Sequence, residues 1–393
     1  MVDSKKIYIR KIIYVLILFL LTILVSLPAF RGKVALGHDL PFHFGRIDSL
    51  ANAIKTGQLP ARFESEAWYS YGYVSSTFYG HLLLYIPACL RLFGMPVFMA
   101  YNCYVIFINM LTALISYYSF KRILKNDSRF GVFATTIYMV AGYRLSNLFV
   151  RAAVGEYTAM AFLPLFMLGI YQIYYVNDYS FLPHKTTSDG ENCNRFREKL
   201  NYKEKVNIPE LLRGLLNFPL IIGATGIIES HILTTELVML FTLIFVILSI
   251  KKTISVIIPL LSNLLVVLGL NLYFILPFIS SYSSMELNIN SPKELEDLSK
   301  NGLYLRQIFG PLAGGHGSNF EWTYQGEEYL NFGIVLIICM LSALVIFIID
   351  ILKKSINTKV LKLGFLGVLA LWFSTIYFPW QLFTKDNAIS KLM

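Results

Sequence analysis

Cysteine and charged residues are both scarce in this sequence. Four of the 393 residues are cysteine, and none of them forms a C-x-x-C pair, so no disulfide framework, zinc motif or redox motif is predicted. Charged residues make up only 15% of the chain, well below the roughly 25% of soluble domains. This composition excludes a disordered chain, a small secreted protein and a nucleic-acid-binding protein, and no nucleic-acid partner is expected.

What the sequence has instead is long apolar segments. Hydrophobic residues make up 56% of the chain, and a bilayer-spanning helix needs about 20 of them in a row. The sequence therefore predicts an all-α integral membrane protein, in which residues 1–393 form one polytopic bundle of about nine transmembrane helices. The predicted spans are 12–30, 97–120, 130–149, 155–176, 212–228, 232–250, 254–279, 331–351 and 360–379. The first is too long for a signal peptide and no cleavage site follows it.

The positive charges indicate the orientation of these helices. With the N-terminus in the cytoplasm, the inner segments hold 21 Lys and Arg residues and the outer segments hold 13, as the positive-inside rule requires. Acidic residues divide the other way, 9 inside and 15 outside, and five of the six histidines fall on or near the outer side. Acid–base chemistry is therefore expected outside.

Three loops are long enough to hold more than a turn. Residues 178–213 form a polar cytoplasmic loop without a motif, and residues 280–330 form an outer loop that contains the glycine-rich stretch Gly310–Gly317. The first outer loop, 31–80, is predicted to contain interfacial helices, because apolar residues recur at helical spacing from Ile47 to Ile54. The aromatic residues that follow favour an interfacial belt, with a surface for stacking sugars or prenyl chains as the alternative.

The first outer loop also contains the densest group of ionisable residues. His38, Asp39, His43 and Arg46 lie within nine residues. If Asp39 begins a helix, His43 follows at i+4 on the same face, and the pair would suit general base catalysis or the binding of a hard cation. The alternative is that Asp39 merely caps the helix. Such a pair is too little to name a metal, so no metal site is assigned, although a divalent cation stays open as a cofactor.

Two more outer segments carry candidate residues. Arg144 and Arg151 are able to hold a phosphate bidentately with help from Glu156, unless Arg151 and Glu156 form a structural ion pair. Glu229 and His231 stand at the tip of a tight hairpin between two apolar runs. That tip is expected at the outer surface, where both side chains would meet water.

Together these segments resemble a bacterial family, the YfhO-like polytopic proteins, some of which are labelled 6-pyruvoyl-tetrahydropterin-synthase-related membrane proteins. The resemblance extends over nearly the whole chain and is moderately specific. It rests on the segments 37–43 (GHDLPFH), 57–62 (GQLPAR), 143–144 (YR), 151–156 (RAAVGE), 229–231 (ESH) and 378–380 (FPW).

The family is similar to the GT-C glycosyltransferase superfamily, whose members use polyprenyl-phosphate-linked sugars and have an acidic residue in the first outer loop. The resemblance implies that Asp39 is the base that deprotonates a glycan or lipid acceptor. It further implies that Arg144 and Arg151 hold the donor phosphate, that Glu156 is the acidic residue of the second outer loop, and that His43 tunes Asp39 or contacts the donor phosphate. The implied location is the bacterial cell membrane, among membrane lipids.

Two features differ from the family, and two other functions compete. Family members are generally longer, so the chain is expected to be truncated at its C-terminus or to be a shortened relative. Pterin synthesis is not expected, because the histidines are dispersed between spans rather than gathered around zinc. A flippase or transporter of lipid-linked saccharides and a non-catalytic membrane scaffold are the alternatives to a transferase.

Overall fold

A computed structural model describes residues 2–30, 37–65, 71–176, 215–285, 302–309, 331–355 and 357–380. The predicted cytoplasmic loop at 178–213 and the glycine-rich stretch lie outside these ranges. Within the described ranges the chain is helical and forms no strand beyond two isolated bridges, Glu64 with Tyr73 and Leu303 with Thr375. The all-α class is therefore confirmed for the described part of the chain.

Fifteen helices are described, and they are numbered here in chain order. They are α1 (Val2–Phe30), α2 (Leu40–Lys55), α3 (Ser75–Phe78), α4 (Tyr85–Leu92), α5 (Val97–Ile123), α6 (Ser128–Met139), α7 (Gly142–Phe149), α8 (Val154–Tyr175), α9 (Phe218–Ile228), α10 (Ile232–Leu248), α11 (Ile250–Ser255), α12 (Ile257–Ser284), α13 (Leu305–Phe309), α14 (Ile334–Leu352) and α15 (Thr358–Phe373).

Five of these helices are long and apolar enough to cross a bilayer. They are the Tyr8–Phe30 part of α1 together with α5, α8, α12 and α14. Two shorter apolar helices, α9 and α10, have 11 and 17 described residues. The chain is thus a multi-pass membrane protein, but the predicted count of nine spans is not confirmed.

The predicted span 130–149 is the clearest difference from expectation. It is divided into α6 and α7, because the backbone becomes extended at Ala141, with φ −57° and ψ 129°. The break turns α7 so that Arg144 points into the bundle, where its guanidinium reaches the carbonyl oxygen of Met139 at 3.2 Å. A cation in a membrane protein is far less costly among polar partners than among lipid chains.

Two other predicted spans are shorter in the structure. α9 begins only at Phe218, where the side chain of Asn217 caps the helix by accepting from the Leu220 N–H at 3.0 Å. α15 ends at Phe373, and Thr375 just beyond it pairs with Leu303. In both cases a polar side chain or a backbone contact ends the helix inside an apolar run, which hydropathy alone does not show.

The helices α5 and α8 form the centre of the bundle. α5 packs against α1, α6 and α8, and α8 packs closely on α9. The helix predicted to lie on the membrane surface, α2, has one face buried against α4 and α5. By contrast, α14 and α15 have no buried residue among the described positions. The candidate site therefore rests on the well-packed half of the protein.

Candidate functional site at the outer end of the bundle

Most of the sequence-predicted site residues meet at one end of the bundle, the end that the charge count places outside. We call Asp39, His43, Tyr79, Arg151, Glu156 and His231 the outer cluster. These residues come from four separate parts of the chain: the start of α2, the α3–α4 connection, the start of α8 with the turn before it, and the α9–α10 turn.

The backbone fixes the position of Asp39. Its N–H donates to the carbonyl oxygen of Arg151 at 2.9 Å, and the N–H of His38 donates to that of Val150 at 3.3 Å. Asp39 occupies the N-cap position of α2, yet its side chain makes no capping hydrogen bond. The residue is exposed, as is His38. Asp39 therefore stands at the capping position of α2, but its carboxylate does not cap the helix.

Arg151 and Glu156 form an ion pair, as the structural alternative predicts. Nη1 of Arg151 lies 2.9 Å from Oε2 of Glu156 and also donates to Oδ1 of Asn147 at 2.8 Å. The hydroxyl of Tyr143 donates to the other carboxylate oxygen of Glu156. The side chains of Arg151 and Glu156 are 27% and 16% exposed. The pair is thus held in one orientation and stays within reach of a ligand.

Tyr79 lies at the centre of the cluster, although the sequence predicts it to belong to an interfacial belt. Its ring centroid is 6.0 Å from that of His43 and 5.6 Å from that of His231. On its other side, the guanidinium carbon of Arg46 is 4.3 Å from the centre of the ring. The ring therefore connects α2 to the α9–α10 turn.

The close packing around Tyr79 requires glycine at position 155. A Cβ at Gly155 would stand 2.4 Å from Cε1 and Oη of Tyr79 and 2.6 Å from the carbonyl oxygen of Ser230. Real Cβ atoms do not approach other atoms so closely, so only glycine lets the start of α8 meet the ring and the α9–α10 turn together.

The electrostatics show that the charges of the cluster act on one another. Burial raises the pKa of the Tyr79 phenol, the Arg46 charge lowers it, and the carboxylates of Asp39 and Glu156 raise it. Burial lowers the pKa of His231, which Glu156 raises, Arg151 lowers and Asp39 raises. Burial, followed by the charges of Arg46 and His231, holds the pKa of His43 well below its usual value. The buried His43 ring is therefore neutral at pH 7.

The histidines take supporting positions. His43 is buried between the rings of Phe42 and Tyr79, so it lies on the inner side of α2 while Asp39 faces outward. His231 begins α10, where Nδ1 accepts from the N–H of Thr234 at 3.3 Å. The prediction that Asp39 and His43 share one accessible face is therefore not supported by their exposure.

Arg144 does not join the cluster. Its guanidinium is 1% exposed and donates to Oδ1 of Asn109 at 2.7 Å and to Oγ1 of Thr112 at 3.2 Å, both on α5. Asn109 in turn donates to Ser26 of α1 at 3.0 Å. Arg144 thus connects three helices inside the bundle, and we leave it out of the proposed phosphate site.

Glu229 is not at a water-exposed hairpin tip. It is 2% exposed, and Oε2 accepts a hydrogen bond from the Tyr273 hydroxyl at 2.6 Å. Burial raises the pKa of its carboxyl to about 7, an effect that the Tyr273 hydroxyl partly offsets. The hairpin tip packs beneath the first outer segment, because the carbonyl carbon and oxygen of Glu229 would lie 2.3 Å from a Cβ at Gly80. Arg46 is equally buried beside it.

Two features bear on ligands. Among the described residues, no group of three or more His, Cys, Asp or Glu side chains lies close enough to hold a metal ion. The cavity beside the cluster has a volume of only about 10 Å³, far below the several hundred Å³ of a typical ligand pocket. A ligand at this end would therefore bind on the exposed side, next to Asp39, rather than within that cavity.

The sequence assigned no individual site role to Tyr79, Tyr143 or His81. Tyr79 belongs to the aromatic group predicted as an interfacial belt or a stacking surface, Tyr143 stands only as the neighbour of Arg144, and His81 stands alone in its segment. Only the fold brings them next to Arg46, Glu156 and Glu229. A spacing rule cannot detect residues whose partners lie on other helices.

Comparison with known proteins shows that the chain is similar to an uncharacterized protein of Lactococcus lactis subsp. cremoris (strain MG1363). The two are 21% identical over 378 residues, and the aligned region covers 94% of this chain and 54% of that protein. The chain therefore spans about half the length of this relative. No protein-family model and no solved structure matches the chain.

Proposed function

We propose that the outer cluster is the reaction site of a membrane glycosyltransferase that moves a sugar from a polyprenyl-phosphate carrier to a glycan or lipid acceptor. The carrier's long tail confines it to the bilayer, so its phosphate meets the enzyme at the level of the headgroups. A site at the ends of the membrane-spanning helices, such as α5 and α8, lies at that level. The bacterial cell membrane and a cytoplasmic N-terminus are parts of this proposal.

In this proposal Asp39 is the general base. It accepts the proton of the acceptor hydroxyl while the acceptor oxygen bonds to the anomeric carbon. The bond from that carbon to the phosphate oxygen breaks, and the lipid phosphate leaves with the electron pair. A base needs solvent access and a fixed position, and the exposed Asp39, held through its backbone to Arg151, has both.

Arg151 is proposed to hold the phosphate of the donor. Its guanidinium is partly exposed, and Glu156, Asn147 and Tyr143 fix its direction. A guanidinium suits a phosphate because its N–H groups match the spacing of two phosphate oxygens. An exposed ion pair contributes little stability by itself, so sharing Arg151 with a phosphate would cost little.

The observation that carries the proposal is the convergence of Asp39, Arg151 and Glu156 from two distant segments. The rings of Tyr79 and His231 border the same place and offer apolar faces of the kind on which sugars stack. The resemblance to the YfhO-like and GT-C proteins gives the same assignment of Asp39. Neither the arrangement of these residues nor the resemblance identifies the sugar.

The test uses the full chain purified in detergent or reconstituted in vesicles, supplied with polyprenyl-phosphate-linked sugars. Release of free polyprenyl phosphate that is lost in Asp39→Asn is the expected result. Undiminished release by Asp39→Asn would reject the base. Movement of the labelled carrier across the bilayer without cleavage would favour a flippase, and neither activity would favour a scaffold.

A further inference from the structure

A small chamber lies next to the outer cluster, between α2, the α3–α4 connection, α8 and the α9–α10 turn. Its volume of about 10 Å³ is close to what a single water molecule needs. Its polar side chains come from distant parts of the chain and include Arg46, His81 and Glu229. None of these three residues belongs to the outer cluster as defined above, although Arg46 lies against the ring of Tyr79.

Only one of the three guanidinium nitrogens of Arg46 donates a hydrogen bond within the described residues. It is 1% exposed, and Nη2 donates to the carbonyl oxygens of Gly80 at 3.0 Å and Tyr79 at 3.3 Å. Nε and Nη1 are buried and have no hydrogen-bond partner within the described part of the chain. None of the ion pairs within the described ranges includes Arg46. A buried guanidinium with two unused donor nitrogens is costly.

Glu229, which also lines the chamber, has an acceptor oxygen without a donor among the described residues. Oε2 accepts from Tyr273, but Oε1 is buried and has no hydrogen-bond partner among the residues that the structure describes. The same holds for both ring nitrogens of His81. Arg46 on α2 thus has spare donors and the α9–α10 turn a spare acceptor, and both line one chamber.

We propose that one water molecule in this chamber accepts a hydrogen bond from Arg46 and donates one to Oε1 of Glu229. The bridge holds the α9–α10 turn, and with it His231, against the first outer segment. Arg46 and Glu229 are then positioning residues for the outer cluster. A water needs two to four polar partners to be retained in a protein interior, and Arg46, Glu229 and the neighbouring His81 supply them.

Arg46 is the cation among the residues that line this chamber. Burial lowers the pKa of Arg46, and the charge of Glu64 raises it. Burial, followed by the Arg46 charge, lowers the pKa of His81 to about 4, so its ring is neutral at pH 7.

The groups facing Glu229 from other elements are Tyr273 of α12, which donates to it, and Tyr85 of α4, whose pKa is raised by burial and by the Glu229 charge. Arg62 donates to the carbonyl oxygen of Tyr273 at 2.5 Å, and its charge lowers the pKa of Tyr85.

An infrared pH titration of the reconstituted full chain tests the bridge. The carboxyl band of Glu229 is identified by its loss in Glu229→Gln. In Arg46→Met its midpoint should move upward by about 1 pH unit or more, because the proposed bridge would then no longer link the carboxylate to a cation. Arg46→Lys should leave it nearly unchanged, and Arg129→Gln at the opposite end is the matched control. An unchanged midpoint in Arg46→Met would overturn the proposal.

A second measurement tests the bridge even if Arg46→Met folds poorly. The double variant Arg46→Met/Glu229→Gln should unfold at no lower temperature than Arg46→Met alone, because no carboxylate is then left without its partner. Strictly additive losses would contradict the bridge. Neither measurement uses transferase activity. The bridge therefore fails or stands independently of the Asp39 test of the proposed function, and only its role in positioning His231 for catalysis rests on that function.

Discussion

The two ends of the helix bundle differ in how deeply their charged side chains are buried and in whether these side chains contact other helices. At the end that the charge count predicts to face the cytoplasm, here called the inner end, Asp127 pairs with Arg129 only two residues away. Arg122 at this end lies over the ring of Tyr118 on its own helix, 4.8 Å from the ring centre. These contacts are local and the arginines are exposed. At the outer end, Arg46 and Glu229 are buried, and they contact residues on other elements.

The difference indicates what each set of charges does. Exposed cations at the inner end are enough to orient the chain in the membrane and need no partner from another helix. Buried charges cost free energy unless the fold compensates them, so a fold that keeps several of them at one end has a use for them there. Substitutions at the outer end should therefore affect function, whereas matched substitutions at the inner end should not.

The largest contrast is expected between Asp39→Asn and Asp127→Asn. Loss of a general base typically lowers the rate by about 10²- to 10⁴-fold, so Asp39→Asn should reduce the release of polyprenyl phosphate by at least about a hundredfold. Asp127→Asn at the inner end keeps a capping side chain and should leave the rate unchanged. Equal effects of the two variants would remove the functional distinction between the ends.

A smaller contrast is expected between Arg151→Gln and Arg122→Gln. A charge-assisted hydrogen bond contributes about 1.5 to 3 kcal/mol, so Arg151→Gln should lower kcat/KM for the lipid-linked donor by about tenfold or more. Arg122→Gln should not change it. Steady-state kinetics with varied donor concentration would show the loss, and an unaltered kcat/KM in Arg151→Gln would move the phosphate site elsewhere.

Packing at Gly155 of the outer end is expected to be less tolerant than packing at Gly269 of α12. Gly155→Ala should destabilise the protein by about 1 to 3 kcal/mol through overpacking against Tyr79 and Ser230. Gly269→Ala on α12 is the matched control, since nothing lies within 4 Å of a Cβ there, and it should be neutral. Thermal unfolding in detergent measures both. If Gly155→Ala is as stable as Gly269→Ala, the close approach does not constrain the site.

A further set of expected effects concerns the pH dependence of stability, where the net change is small because two groups act in opposite directions. The folded-state pKa of Glu229 is raised from 4.5 to about 7, so the folded state binds more protons than the unfolded state in this range. Glu229 therefore lowers the free energy of unfolding as the pH rises from about 4.5 to 7. The pKa of His81 is lowered from 6.5 to about 4, so the unfolded state binds more protons. His81 therefore increases the free energy of unfolding as the pH rises from about 4 to 6.5.

The two groups thus oppose each other, and single variants separate them. Relative to the unmodified protein, Glu229→Gln should gain thermal stability as the pH rises from 4.5 to 7. His81→Gln should gain relative stability as the pH falls from 6.5 to 4. Unfolding midpoints over this pH range measure both slopes. Parallel curves for all three proteins would show that neither side chain titrates with a shifted pKa.

The sequence predicts parts of the site well where the signal is local. Arg151 and Glu156 are five residues apart, and the predicted ion pair between them is present. Asp39 begins α2 as expected from Pro41 and the apolar spacing that follows. Arg144 stands next to Tyr143 in the sequence, but the rotation of α7 sends Tyr143 to Glu156 and Arg144 into the bundle. Neighbouring positions on a helix point in different directions, so a local motif does not reveal which of them reaches a site.

Composition and apolar length alone determined that this chain is a helical membrane protein, because a lipid-exposed backbone has to satisfy its hydrogen bonds within each helix. Apolar length did not reveal where helices break, as at Ala141. The meeting of Asp39, Tyr79, Arg151 and His231 was decided by tertiary contacts. Such contacts join residues far apart in the chain, and the energy of burying one charged group depends on partners that no single segment contains.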